Sequence, residues 1–359
     1  MIWLRQQLSR IADDMPERDL GAKTIAIHQR RRRNLMTLTA VAMVVVTVLA
    51  ATVGVRALSS DPRAATRPAG LPERSVIKVG VVPTVESAPV FVALAKGYFK
   101  EEGLTVEPVI VTGPTDAVHR VDSGALDLAQ TDYAMAFAAN EAGKQFKIVS
   151  SMYQAAQGSF AVVVNAKSKI RTAAGLKRKT IAVPNILGLG SLALTAVLER
   201  AGLRLRDVVV VEWPYPQMLN LMDKGQVDAA LLAEPYITMG RANSGTRILE
   251  DAMSGEFADL HTAGMTATGQ WTRQNPRTLA AFQRALAKAQ RLLAGDPQQA
   301  RDVLPGYTRI ARAQLAGVAV GSYPVKLDLS ELQRVADLAR TYKLLKRPAD
   351  IRSTVMTGG

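Results

Sequence analysis

An α/β fold is what this sequence predicts, and three observations lead to it. Short apolar runs alternate with amphipathic helical stretches from Val76 to about Gly264, the pattern of strands packed under helices. The first such unit, Val76 to Val111, reads as strand, proline-started helix and strand. The chain, at 359 residues, is long enough for two domain-sized cores with appendages.

Residues 1–34 hold eight Lys/Arg against four Asp/Glu, and Arg30 to Arg33 abut an uncharged run ending at Val55. Its apolar part, Leu35 to Val55, is 21 residues long, enough to cross a bilayer core of roughly 30 Å. No polar face interrupts it, so an amphipathic core helix is a poor alternative. The positive-inside rule keeps the N-terminus in the cytoplasm and exports everything after Arg56. A cleaved signal competes with an anchor. However, a signal's apolar region is usually shorter, and Val55-Arg-Ala57 is a mediocre cleavage site. Arg32-Arg33-Asn-Leu35-Met36 partly resembles a twin-arginine export signal. The reading is a basic cytoplasmic segment (1–34), a transmembrane helix (35–55) and a Pro- and Gly-containing linker (56–75).

Candidate strands are Lys78–Val82, Leu104–Val111, Leu126–Gln130, Lys147–Met152, Phe160–Val164, Thr180–Val183, Val208–Glu212 and Val227–Leu232. After Gly264 the sequence turns mainly helical. Asn275-Pro276 starts a helix in which Leu279, Phe282, Leu286, Ala289 and Leu293 share one face. Asp296-Pro297 repeats the device, and Leu332, Val335, Ala336 and Ala339 mark a last amphipathic helix.

Composition excludes several chemistries. There is no cysteine, hence no disulfide and no thiol nucleophile, and His28, His119 and His261 lack metal-ligand spacing. The net charge of +14 leaves +9 on residues 58–359, dispersed and with few aromatics, so nucleic-acid binding is not indicated. No nucleophile elbow or P-loop is present, and no metal or other cofactor is expected.

Ala88-Pro89, Gly97-Tyr-Phe99 and Gly103-Leu104 resemble the opening of the extracytoplasmic solute-binding proteins that serve nitrate, sulfonate, taurine and thiamine-precursor importers. Thr172 to Pro184 is similar to that family's domain-crossing segment, and Met218 to Tyr236 to its helix–Gly–strand segment ending in Glu-Pro. Asp122 to Gln130 echoes the latter. The resemblance spans Val76 to about Leu345. It implies a two-lobed, type II periplasmic-binding-protein fold with the ligand cleft between lobes. Lobe I would take residues 76–160 and 263–345, lobe II residues 161–262, and a tail 346–359. The hinge candidates are Phe160–Val164 and Thr262–Thr268.

Ligands of open α/β sheets lie beyond the C-terminal strand ends. That rule nominates Thr84, Ser87, Pro89, Asp132, Tyr133, Tyr153, Ser159, Gly188, Gly190, Ser191, Trp213, Tyr215 and Glu234 as ligand contacts. Gly188 to Ser191 open a helix whose free N–H groups suit an anionic head group, although a plain turn with a Ser cap explains the same letters. Trp213 and Tyr215 form either a ligand shelf or a packed turn. Glu234 either meets the ligand or caps a helix starting at Tyr236. Gly188-x-Gly190-x-x-Ala193 imitates a dinucleotide fingerprint, but Pro184 to Leu187 intervene after the strand.

The resemblance implies a non-enzymatic substrate-binding component of an ABC importer, which the 35–55 span would anchor to the membrane. Its partners are a permease, a cytoplasmic ATPase, the lipid bilayer and a small anionic or zwitterionic organic solute. A taurine-like sulfonate or a thiamine-pyrimidine precursor would fit. The alternatives are a tethered ligand sensor, and more remotely a thiamine-pyrimidine synthase-like or NAD-dependent enzyme.

Overall fold

The computed structural model describes residues 70–356. The expected cytoplasmic segment, the 35–55 span and most of the 56–75 linker lie outside them. Among the described residues no helix is long and apolar enough to cross a membrane.

The chain builds two five-stranded sheets of the same plan. The first begins with β1 (Val76–Val81), α1 (Ala88–Ala95), β2 (Thr105–Ile110), α2 (Pro114–Asp122), β3 (Leu128–Asp132), α3 (Tyr133–Glu141) and β4 (Phe146–Gln154). The second contains β5 (Phe160–Asn165), β6 (Thr180–Val183), α4 (Leu189–Arg200), β7 (Val209–Glu212), α5 (Tyr215–Asp223), β8 (Ala229–Ala233), α6 (Tyr236–Asn243) and β9 (Thr246–Asp251). The chain then returns to the first sheet with β10 (His261–Thr268), followed by α7 (Pro276–Gly295) and α8 (Leu329–Thr341).

The strand orders are β2-β1-β3-β10-β4 and β7-β6-β8-β5-β9. In each, three parallel strands joined by helical crossovers are followed by one strand, β10 or β5, that pairs antiparallel with both its neighbours, the outer of which is the edge strand β4 or β9. The inner parallel strands β3, β6 and β8 are buried, and β6 and β8 read as near-continuous Ile, Val, Leu and Ala runs, as strands covered on both faces do. The edge strands β2 and β7 are largely exposed or half-buried. Each sheet with its helices forms one lobe. β9, absent from the sequence expectation, is an edge strand, Thr-Arg-Ile-Leu-Glu-Asp, only half-buried; its charged residues hide the strand signal.

The hinge differs from the expectation. Phe160–Val164 lies wholly within β5, and Thr262–Thr268 within β10, each hydrogen-bonded on both sides. The chain instead crosses between lobes at 155–159 and 252–260. The two crossings run side by side, with the Ala155 N–H donating to the Leu260 carbonyl at 2.9 Å.

Helix α7 buries Leu279, Phe282, Leu286, Ala289 and Leu293, and Phe282 stacks on Phe99 at 5.3 Å between centroids. Asn275 precedes it, but the Asn275 amide donates back to the Trp271 carbonyl instead of capping forward. The cap comes from Glu73, whose carboxylate accepts from the N–H groups of Thr278 at 2.8 Å and Arg277 at 3.2 Å. Burial works to raise the Glu73 pKa, yet the hydrogen bonds from Thr278 and Arg277 prevail and hold it at about 2. The end of the expected linker is therefore docked on lobe I.

Candidate functional site

The two lobes face each other across the C-terminal ends of β1, β3, β6 and β8, where a cavity is lined by residues of both. From lobe I come Val82, Glu86, Gln130 and Asp132; from lobe II come Asn185, Leu189, Gly190 and Tyr215. The enclosed space is ≈ 20 Å³, room for about one water-sized group. The lobes are closed on each other.

Asp132 ties them together. It ends β3 with extended backbone geometry and accepts from the Met135 N–H at 2.7 Å, capping α3. The same carboxylate reaches across the cleft, accepting from the Leu189 N–H at 3.0 Å and the Asn185 side-chain amide at 2.6 Å. The glycines beside it serve this approach. A Cβ on Gly188 would lie 2.7 Å from an Asp132 carboxylate oxygen, and one on Gly190 would lie 2.7 Å from Pro184 Cδ. Helix α4 starts at Leu189, with Gly188 as its cap. Its first free N–H groups go to Asp132 and to the Asn185 side-chain oxygen, the latter from Gly190 at 2.9 Å. Two of the donors in the stretch nominated for an anionic head group, the Leu189 and Gly190 N–H groups, are thus spent on the protein's own carboxylate and amide. Ser191 is buried in the first turn of α4.

The β1–α1 turn is equally self-contained. Ser87 Oγ donates to the Val82 carbonyl at 2.6 Å and also meets the Gln130 amide. Thr84 Oγ1 approaches Glu86 at 3.4 Å, and Pro89 is buried in the first turn of α1. Tyr133 and Tyr153 are fully buried and outside the cavity lining; their hydroxyls meet Ser151 Oγ at 3.3 Å and the Gly321 N–H at 2.7 Å. Ser159 folds onto the Ala156 carbonyl in the first crossing. Trp213 is 39% exposed, away from the lining. Tyr215 is in the wall, stacked on Tyr236 at 5.6 Å. Asp132, Gly190 and Tyr215 are therefore the nominated residues that line the cavity.

Glu234 stands apart from that lining. Its carboxyl accepts from the Thr238 N–H at 3.1 Å and hydroxyl at 2.9 Å, and from the Ala319 N–H at 3.3 Å. It holds the start of α6 and fastens a strap, residues 304–323, that reaches over from lobe I. Tyr307 and Tyr323 hold the strap's ends, donating to the Thr84 and Val85 carbonyls at 3.0 and 3.1 Å. Tyr307→Phe keeps the stack on Phe91 but loses one such bond. It is expected to cost about 1 kcal/mol, read as a lower unfolding midpoint.

Glu86 is not singled out in the sequence, although it lies between the nominated Thr84 and Ser87. It is 7% exposed, and its best partner is Thr262 Oγ1, donating at 2.7 Å. Burial pushes its pKa up to about 7; the Thr262 bond opposes this and the nearby Asp132 charge adds to it. Burial likewise raises Asp132 to about 6 against its three hydrogen bonds, and Glu234 to about 6 against those from Thr238. No lysine, arginine or histidine is among the cavity-lining residues.

Two matched α/β lobes, joined by paired crossings and closed over a cavity at their strand ends, define a bilobal periplasmic-binding-protein fold. The chain belongs to the NMT1/THI5-like family, whose model matches residues 84–300. It is 25% identical over 272 residues to the riboflavin-binding protein RibY of Chloroflexus aurantiacus, covering 73% of this chain and 74% of that one. The alkanesulfonate-binding protein SsuA from Xanthomonas axonopodis pv. citri, bound to MOPS, superposes with a TM-score of 0.67 at 20% identity, over 79% of this chain and 99% of that one. The periplasmic nitrate-binding protein NrtA from Synechocystis PCC 6803 gives 0.69 at 15% identity, over 79% and 86%.

Proposed function

We propose that this protein is the extracytoplasmic solute-binding component of an ABC-type importer. It captures a small organic solute by closing its lobes and hands it to a membrane permease driven by a cytoplasmic ATPase. The observation that carries this reading is the bridge from Asp132 to Leu189 and Asn185 across the cleft. A carboxylate that caps a helix in one lobe and binds a helix start in the other couples cleft geometry to lobe position. The relatives that bind riboflavin, alkanesulfonates and nitrate support a transport role. The 21-residue apolar span behind Arg30 to Arg33 supports tethering outside the cytoplasmic membrane.

Calorimetric titration of the full chain tests this with taurine, ethanesulfonate, nitrate, riboflavin, a 4-aminopyrimidine and small alkylammonium and amidinium salts. At least one solute is expected to bind with one-to-one stoichiometry and to raise the melting temperature. Absence of binding across all of these chemistries overturns the reading.

A further inference from the structure

We propose that the cleft selects solutes bearing a positively charged nitrogen, an ammonium or amidinium group, seated against Glu86 and Asp132. This rests on the solute-binding reading above: the cleft, parted far enough to admit the solute, supplies the site, and the carboxylates decide what it accepts.

The charge balance around the cavity is one-sided. Basic residues outnumber acidic ones, 45 to 31, over the whole chain. Yet the charged residues lining the cavity are Glu86 and Asp132 alone. Both are buried and, among the described residues, neither has a cationic partner within salt-bridge distance. A buried carboxylate without a countercharge is costly, and a positive group delivered by a ligand relieves that cost directly.

The hydrogen-bond inventory points the same way. An anion needs free donors, and three backbone N–H groups beside the cavity are engaged in the closed form. The Leu189 N–H goes to Asp132, the Gly190 N–H to Asn185, and the Val85 N–H to the Glu234 carbonyl. Acceptor capacity, in contrast, is left over. An ionised carboxylate has about four lone-pair sites. Glu86 receives one short bond, from Thr262 at 2.7 Å, and two long ones, from Thr84 at 3.4 Å and Gln130 at 3.3 Å. An ammonium or amidinium group offers the N–H bonds that would fill it, and charge assistance makes such bonds the stronger kind. Tyr215 adds an aromatic wall, a surface that attracts organic cations, while Phe160, Leu231 and Met253 supply apolar surface for the solute's body.

A metal cation does not fit as well. Among the described residues no three His, Cys, Asp or Glu side chains converge closely enough to hold one. An organic cation needs only the acceptors and the apolar contact that this lining offers.

Calorimetry on the full chain at pH 8 and low salt tests this with probe pairs of like shape: butylammonium against butanesulfonate, and acetamidinium against acetate. The cationic member of at least one pair is expected to bind ten-fold or more tightly than its anionic counterpart. Glu86→Gln is expected to weaken that binding at least ten-fold, while Glu86→Asp, which keeps the charge, retains the preference. Preferential binding of the anionic members overturns the inference, as does unchanged cation affinity in a folded Glu86→Gln protein. If the cations fail but another solute from the wider panel binds, this inference falls and the solute-binding reading stands. If nothing binds, both fall. Should Glu86→Gln not fold, the wild-type pairs and Glu86→Asp still decide between a cationic and an anionic preference.

Discussion

Asp132→Ala is expected to open the lobes and to lower solute affinity ten-fold or more. In the closed form the carboxylate accepts from Met135 within its own lobe and from Leu189 and Asn185 across the cleft. Truncation removes the cap of α3 whether the lobes are open or closed, about 1 kcal/mol in either state. The other two losses are felt only when closed. There the Leu189 N–H and the Asn185 amide are left buried without that acceptor, at about 1–3 kcal/mol each, whereas water satisfies them when the lobes part. Closure is therefore penalised selectively by about 2–6 kcal/mol, and about 5.5 kcal/mol is enough to turn a 99:1 preference into 1:99. Asp132→Asn keeps one oxygen acceptor and is expected to fall between. Small-angle scattering reads the outcome as a larger radius of gyration for the alanine variant. An unchanged profile would mean that closure does not depend on this bridge.

Much of this geometry is legible in the sequence, and the part that is not has physical reasons. The inner strands β6 and β8 announce themselves because strands covered on both faces read as uninterrupted apolar runs. Pro89 and Pro276 fix helix starts because proline is free at a first turn. What periodicity cannot supply is the partner of each polar group. The Gly188 to Ser191 letters announce a helix start with free N–H groups, and the structure fills it from 57 residues away with Asp132. Glu234 carries two readings in the sequence, and its bonds to Thr238 and Ala319 favour the structural one. Glu86 is hidden for the same reason. Its burial depends on Thr262, 176 positions along the chain, arriving on β10. The hinge is misread because strands β5 and β10 look like crossing strands by position, while their pairing on both sides fixes them inside the sheets.

The protein is expected to be more stable at pH 5 than at pH 8, the reverse of what a chain rich in exposed, paired carboxylates would give. In the folded state Glu86 titrates at about 7, and Asp132 and Glu234 at about 6, against ordinary values of 4.5, 3.8 and 4.5. A raised folded pKa means that the native state holds protons the unfolded chain has released. The resulting stability is present in full below about pH 4 and is lost as pH rises through 6 to 7. At 1.36 kcal/mol per pH unit the Glu86 contribution is about 3 kcal/mol. The three do not simply add, because Asp132 itself helps to raise Glu86. The surrounding Tyr133, Tyr153, Tyr215, Tyr307 and Tyr323 are all pushed above their ordinary range by burial and stay neutral throughout. Arg241 acts on Glu234 alone among the three, and in the opposing direction. His261, lowered by burial, works the other way below about pH 6.5, one group against three. Glu73, held at about 2, adds stability that is complete above its ordinary value of 4.5 and disappears only in stronger acid, so the optimum falls between about pH 4 and pH 5. Melting curves from pH 4 to 9 check the sign, and Glu86→Gln should shrink the pH 5 to pH 8 difference by on the order of 5 °C. A melting temperature that rises from pH 5 to 8 would show that Glu86 and Asp132 are ionised in the free protein. A bound cation should produce that same reversal, because it favours the ionised carboxylates, and its stabilisation should therefore grow across the interval in which the free protein weakens.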